Sequence, residues 1–317
     1  MTDSTLHPPA RPVAAPQSQS IPIENSIQVW TRRLIWKLAI ATLALMAVGS
    51  ATRVMNAGLA CPDWPLCYGQ LVPQRQMNFQ VFLEWFHRLD AALIGLTTLG
   101  LLGVSLWFRR QLPRWLPWAS LGALVLILVQ GALGGLTVTQ LLRFDIVTAH
   151  LGAALLFFSV LLIMGVFLMP YGGSGHVGQL PWLGLIAAGL IYCQSLLGGL
   201  VGSRWAAHQC FGLNQLCAVM NSHLVGVVPA TLATLWLVWK VWQTPALSSS
   251  LRGLAQGAGA LVVVQIVLGI ATFRLHLQVE PLTVTHQVVG AMLLGTLVCF
   301  SALAFRDRRS LNAAPSQ

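Results

Sequence analysis

The sequence predicts an all-α, polytopic membrane protein: eight transmembrane helices in two tandem four-helix bundles related by a pseudo-two-fold axis. Three observations carry that expectation. Of 317 residues, 56% are hydrophobic and only 8% charged, whereas a soluble domain carries roughly 25% charged residues. Eight apolar runs cover 34–52, 80–106, 115–137, 147–170, 181–202, 218–242, 253–273 and 282–305, each near the roughly 20 residues that a helix needs to cross a bilayer. Finally, His87 and His150 are 63 residues apart, and so are His223 and His286. That interval equals one span inward, a turn, one span back and a short loop.

The elements follow in order. Residues 1–28 carry Pro8, Pro9, Pro12, Pro16 and Pro22 among Ser, Gln and Ala. Such a composition cannot bury a core and is expected to be a disordered cytoplasmic tail. The first run follows Arg32, Arg33 and Lys37 and so looks like a signal peptide, but its counterpart at 181–202 makes it the first span. Runs one to four form an N-terminal repeat over 29–170, and runs five to eight a C-terminal repeat over 171–310, followed by a tail at 311–317. A shift of 136 positions superposes His87 on His223 and His150 on His286. Gln130-Gly-Ala-Leu-Gly-Gly then echoes Gln265-Ile-Val-Leu-Gly-Ile, and Val147-Thr-Ala-His echoes Thr283-Val-Thr-His. An even number of spans gives both repeats one orientation.

The net charge of +10 follows topology. Arg32, Arg33, Lys37, Arg109, Arg110, Arg114, Lys240, Arg252, Arg306, Arg308 and Arg309 all fall on one side of an eight-span chain. The positive-inside rule makes that side cytoplasmic, with both termini inside and the cysteine-bearing loops outside. A basic face of this kind calls for membrane lipid as the surroundings and not for nucleic acid. The expected location is the cell's inner (plasma) membrane.

All four histidines stand near the outer ends of inward-running helices, so each pair lies at one depth. Helix N-termini disfavour imidazolium, and neutral imidazole is the form that ligates metal. Bundles hold cofactors between facing helices, so the pairs point to metal or haem ligation. Ala91, Ala153, Ala154, Gly226 and Gly290 follow the histidines by three or four positions and are expected to leave room for a flat macrocycle. Histidines that merely hydrogen-bond across helices are the simpler reading for one residue, and a poor one for four at a repeated spacing.

The halves differ. Glu84 lies three residues before His87, and Arg88 follows it directly, whereas Met220 and Leu224 stand at the equivalent places. An ionisable residue at membrane depth is a functional candidate. The first site is therefore read as the chemical one, with Arg88 grouped among the cofactor-contacting residues, and the second as structural or electron-transferring. Glu84 pairing with Arg88 is the plainer alternative. Cys61 and Cys67 share one outer loop, and Cys210 and Cys217 another. Outside the cytoplasm such pairs can form disulfides. The first pair either staples its loop or cycles by thiol–disulfide exchange, and the second reads as a staple. Cys193 and Cys299 are expected to pack within spans, and zinc lacks a compact four-ligand set. Arg53, Arg143, Arg204 and Arg274 fall on the outer side and could meet either haem propionates or lipid headgroups.

The stretch GSATRVMNAGLACPDWPLCYG from Gly49 to Gly69, followed by Glu84-Trp-Phe-His-Arg, resembles the first-repeat signature of the haem A synthase family. The likeness extends over nearly all of 30–306 and leaves out the proline-rich tail. It implies oxidation of the C8 methyl of haem O to a formyl group by successive hydroxylations, giving haem A for terminal oxidases. It further implies that His87 and His150 flank the substrate haem and that His223 and His286 bind a haem b that passes electrons. Glu84 would assist at the reacting centre. Cys61 and Cys67 would be the engaged pair, exchanging with an outer thiol–disulfide carrier or a substrate group. Haem O would come from a haem O synthase, and the oligomeric state, a homo-oligomer included, is left open by the sequence.

Three other readings compete. A di-haem b membrane cytochrome explains both histidine pairs but not Glu84 and the Cys61/Cys67 loop in one half. A thiol–disulfide oxidoreductase would bind no haem. A transporter of two parallel repeats would need polar groups and broken helices near mid-membrane, which are scarce here.

Overall fold

A computed structural model of the protein describes residues 25–173, 177–202 and 215–312, apart from the side chains of 215–217 and 309–312. Eight helices account for nearly all of it: α1 (Ser26–Val54), α2 (Phe79–Trp107), α3 (Leu116–Thr139), α4 (Phe144–Leu168), α5 (Leu180–Val201), α6 (Gln215–Trp242), α7 (Ser249–Arg274) and α8 (Glu280–Asn312). All eight contain a stretch long and apolar enough to cross a membrane. The all-α, eight-span expectation is met, and no strand occurs among the described residues.

The helix ends show why each run stops where it does. Asn25 accepts a hydrogen bond from the Ile27 amide at 3.1 Å, Asn78 from Val81 at 2.9 Å and Ser248 from Leu251 at 3.4 Å. Each supplies an acceptor for an otherwise unpaired first-turn N–H. Pro117 and Pro181 open α3 and α5, where a missing N–H costs nothing. The Asn25 cap starts α1 inside the stretch expected to be tail, so residues 26–28 are helical. At the other end α8 runs to Asn312. The rest of the expected tails, 1–24 and 313–317, lies outside the described residues. Within the spans, hydroxyls such as Thr42, Thr98 and Thr234 donate to the carbonyl one turn back at 2.8–2.9 Å, which satisfies them without water.

The duplication is visible in the backbone. The α3–α4 turn places Leu141 and Leu142 at φ 51° and 59°, and the α7–α8 turn places His276 and Leu277 at 53° and 58°. The amide of Leu142 bonds to Thr137 O and that of Leu277 to Thr272 O. Two consecutive non-glycine residues in the left-handed region are rare, and finding the same pair in both halves marks one turn used twice.

Helices α1 to α4 form one ring of neighbours and α5 to α8 another; the rings meet where α1 and α4 touch α8 and where α4 touches α5. Small residues make these seams close. A β-carbon at Gly295 of α8 would sit 2.9 Å from Phe158 and Leu162 of α4. One apolar core, with Phe157 and Phe300 fully buried, runs through both rings. The basic end of the bundle is tied across helices: Arg32 donates to Leu168 O at 3.3 Å, Arg306 to Val166 O, and Tyr171 to Asp307 at 3.0 Å. The start of α1 and the end of α8 therefore share one end. Cys299 is buried, but Cys193 is exposed on the outside of α5 and does not pack as expected.

Candidate functional site

The four histidines sit in the first three turns of α2, α4, α6 and α8, at the end opposite the basic one. Each rests on a glycine of the helix before it. A β-carbon on Gly49 of α1 would lie 2.8 Å from Cε1 of His87. The corresponding distances are 3.3 Å for Gly134 of α3 and His150, 3.0 Å for Gly198 of α5 and His223, and 3.1 Å for Gly269 of α7 and His286. Each glycine admits a ring edge to the neighbouring backbone and so sets the plane of the imidazole.

A glutamine one turn before three of these glycines reaches the same ring. Gln130 lies 3.3 Å from Nε2 of His150 and Gln265 3.3 Å from Nε2 of His286. Gln194 approaches Nδ1 of His223 at 3.0 Å and also donates to its backbone carbonyl at 2.5 Å. At the fourth place α1 carries Leu45. The Nδ1 atom is buried with no partner in His87, His150 and His286 alike. The glutamines also take the space expected for a macrocycle beside the small residues: Gly226 abuts the Gln194 amide oxygen, and Gly290 abuts Gln265.

The ring centres of His87 and His150 are 6.5 Å apart, at 70°. Two metal–imidazole bonds of roughly 2 Å each, plus the two half-rings, span roughly 6 Å, so one iron fits between these rings. His223 and His286 instead line a cavity of about 580 Å³, with Gln194, Gln265, Arg53 and Arg274 on its wall. A volume in the range of small-molecule and cofactor pockets, orphaned ring nitrogens and glycine-set imidazoles together suit a flat iron macrocycle.

Over the first pair lies the outer loop. Cys61 and Cys67 form a disulfide with Cα atoms 4.7 Å apart, and both are buried, packed with Val81. Glu84 is only 3% exposed, and its carboxylate is fully engaged. Oε2 accepts from the Cys61 amide at 2.8 Å, and Oε1 from Arg88 at 2.5 Å. Arg88 also donates to the carbonyls of Asp63 at 2.6 Å, Leu66 at 2.5 Å and Cys61 at 3.3 Å. The pair is therefore a clamp between α2 and the loop. Asp63 closes the loop from outside by accepting from Tyr68 and Gly69 at 2.6 and 2.8 Å. The Gly69 amide foremost, with Tyr68 and Arg88, holds its carboxyl below the ordinary aspartate range. Trp64 lies against Gly135, beside the glycine that seats His150.

Of the remaining sequence candidates, Arg143 is paired with Asp145 at 2.5 Å. Cys210 and Arg204 lie outside the described residues, and so does the side chain of Cys217. Among the described residues, no group of three or more His, Cys, Asp or Glu could hold a metal ion.

The glycine seat makes a direct prediction. Gly49→Val, whose first added atom would already stand 2.8 Å from His87, should displace that ring and lower occupancy of the first site about tenfold or more, read by haem content. Gly100→Val, where a β-carbon meets nothing within 4 Å, should match the parent.

Fold and site thus define a multi-span helical membrane protein with two pairs of seated imidazoles at one end, an arrangement able to ligate iron. The chain belongs to the COX15-CtaA family of cytochrome oxidase assembly proteins, whose model matches residues 32–298. It is similar to proteins named haem A synthase. That of Shewanella oneidensis is 29% identical, covering 84% of this chain and 95% of its own. That of Rhodospirillum centenum is 29% identical over 94% and 92%, and that of Rhizorhabdus wittichii 25% identical over 91% and 95%.

Proposed function

We propose that the protein is a haem A synthase, a membrane oxidoreductase that converts the C8 methyl of haem O to a formyl group and supplies haem A for terminal oxidases. The single observation that carries the reading is the pair of seated imidazoles in each half, with the Cys61–Cys67 loop clamped over the first of them. The family and the names of its relatives support it. A methyl C–H bond is inert to acid or base alone, so bound iron macrocycles supply the redox chemistry.

The chain's own residues then have separate tasks. His87 and His150 hold the substrate haem, and His223 and His286 hold a resident haem b in the second-half cavity. Gly49, Gly134, Gly198 and Gly269 fix the ring planes. Glu84 and Arg88 keep the Cys61–Cys67 loop down on α2, and Trp64 covers the α3 side, which limits water at the first pair. Glu84 is on this geometry a positioning residue. The 29–170 repeat is the catalytic unit and the 171–310 repeat the haem b unit. The basic end faces the cytoplasm and the cysteine loop the outside of the plasma membrane. A haem O synthase delivers the substrate, and an outer thiol carrier services the loop.

The test is to purify the full chain, extract its haems, and identify them by chromatography and mass with and without added haem O. Haem b together with haem O or haem A is the expected result. Haem b alone, with supplied haem O unconverted, would leave an electron-transfer cytochrome, and no haem would remove both.

A further inference from the structure

Arg53 stands in the last turn of α1, in the first half, yet it lines the cavity of the second. Its Nη2 donates to the side-chain oxygen of Gln287 at 3.0 Å, the residue next to His286. Its guanidinium lies against Gly202 of α5, where a β-carbon would come within 2.9 Å of Nη1. Its Nε is buried without a partner. Among the described residues no carboxylate lies within 4.0 Å of it. A guanidinium enclosed in protein without a counter-charge is costly, and a carboxylate is what its fork of donors fits.

Among the described residues, the internal symmetry gives Arg53 and Gln287 no like counterparts. Gly202 follows Gly198 by the four positions that separate Arg53 from Gly49, and Leu151 follows His150 as Gln287 follows His286. At the α4–α5 seam the counterparts are therefore apolar, with Leu151 packed on Gly199. The first half sends an arginine into the second site, and the matching position of the second half is Gly202.

The geometry points to Arg53 as the anchor for a carboxylate of the macrocycle held by His223 and His286, supplied across the seam by the other repeat. Gln287 orients the guanidinium, and Gly202 leaves it room. Arg274 also lines the cavity but is exposed, and Arg143 already has Asp145. The inference rests on the reading of the second half as a haem site. A positive charge beside the macrocycle disfavours the ferric state, so Arg53 also raises the midpoint potential of that haem.

The experiment measures transfer of haem from the purified full chain to excess apomyoglobin, with the chain loaded either with haem b or with its dimethyl ester. The parent should hold haem b at least about tenfold longer than the ester. Arg53→Gln should release haem b roughly ten- to a hundredfold faster, lose the distinction between acid and ester, and show a more negative midpoint potential. Arg53→Lys should keep part of the distinction, and Gln287→Leu should keep most of it because the charge remains. An Arg53→Gln chain that discriminates as the parent does would overturn the assignment and leave Arg53 to a lipid phosphate. Should that variant not fold, Gly202→Val, which crowds the guanidinium without removing it, gives the same reading. A parent that binds no haem through His286 defeats the underlying reading instead, and His286→Ala reports that separately.

Discussion

Replacing Glu84 with alanine should open the outer loop and cut haem O conversion about a hundredfold or more. Removing one member of a buried ion pair costs roughly 3–5 kcal/mol, because Arg88 keeps its charge and loses its counter-charge, while the Cys61 amide loses its acceptor. Two readouts separate position from chemistry: haem A formed, and trapping of Cys61 and Cys67 by a maleimide after mild reductant. Glu84→Gln retains an acceptor for the Cys61 amide, so its loop should stay closed and its turnover should fall only about tenfold. A glutamine variant with a closed loop and turnover as low as the alanine variant's would show that Glu84 moves a proton, and the positioning role would be wrong.

The second large effect concerns the resident haem. His223→Ala and His286→Ala should each abolish stable haem b binding, whereas His87→Ala and His150→Ala should retain it and lose the substrate haem. Losing residues that only support a metal ligand costs 10–100-fold in affinity, so losing a ligand should cost roughly 100-fold or more. The pyridine haemochrome counts what remains, and the low-spin absorption bands report whether two imidazoles still hold it. Loss of haem b from the His87 variant would mean that the halves do not bind independently.

The eight spans and the four histidines were legible because each is a local or periodic property: length, hydropathy and a repeated 63-residue interval. The glycine seats were not. Gly49 and His87 belong to different helices, and nothing in either run says that they meet. A signal was nonetheless present. Gln130 and Gly134, Gln265 and Gly269, and Gln194 and Gly198 are three cases of glutamine and glycine four apart, which places both on one helix face. The Glu84–Arg88 pair was visible as a spacing, but its hold on the carbonyls of Asp63, Leu66 and Cys61 depends on how the loop folds back. Arg53 was one of four outer arginines with equal claims, and its place between α1, α5 and α8 sets it apart from Arg143 and Arg274.

The cysteine loop also constrains the order of events during maturation. Cys61 and Cys67 are 0% and 2% exposed, and a thiolate must reach a sulfur along its axis to exchange with it. A docked loop therefore shields whichever redox state it holds. The bond has to be made while the segment between α1 and α2 is still loose, before Glu84 takes the Cys61 amide. After docking, at high thiol concentration the rate at which an external thiol acts is set by how often the loop lifts, and not by the reactivity of that thiol. Reduction measured at rising thiol concentration should therefore level off at the opening rate.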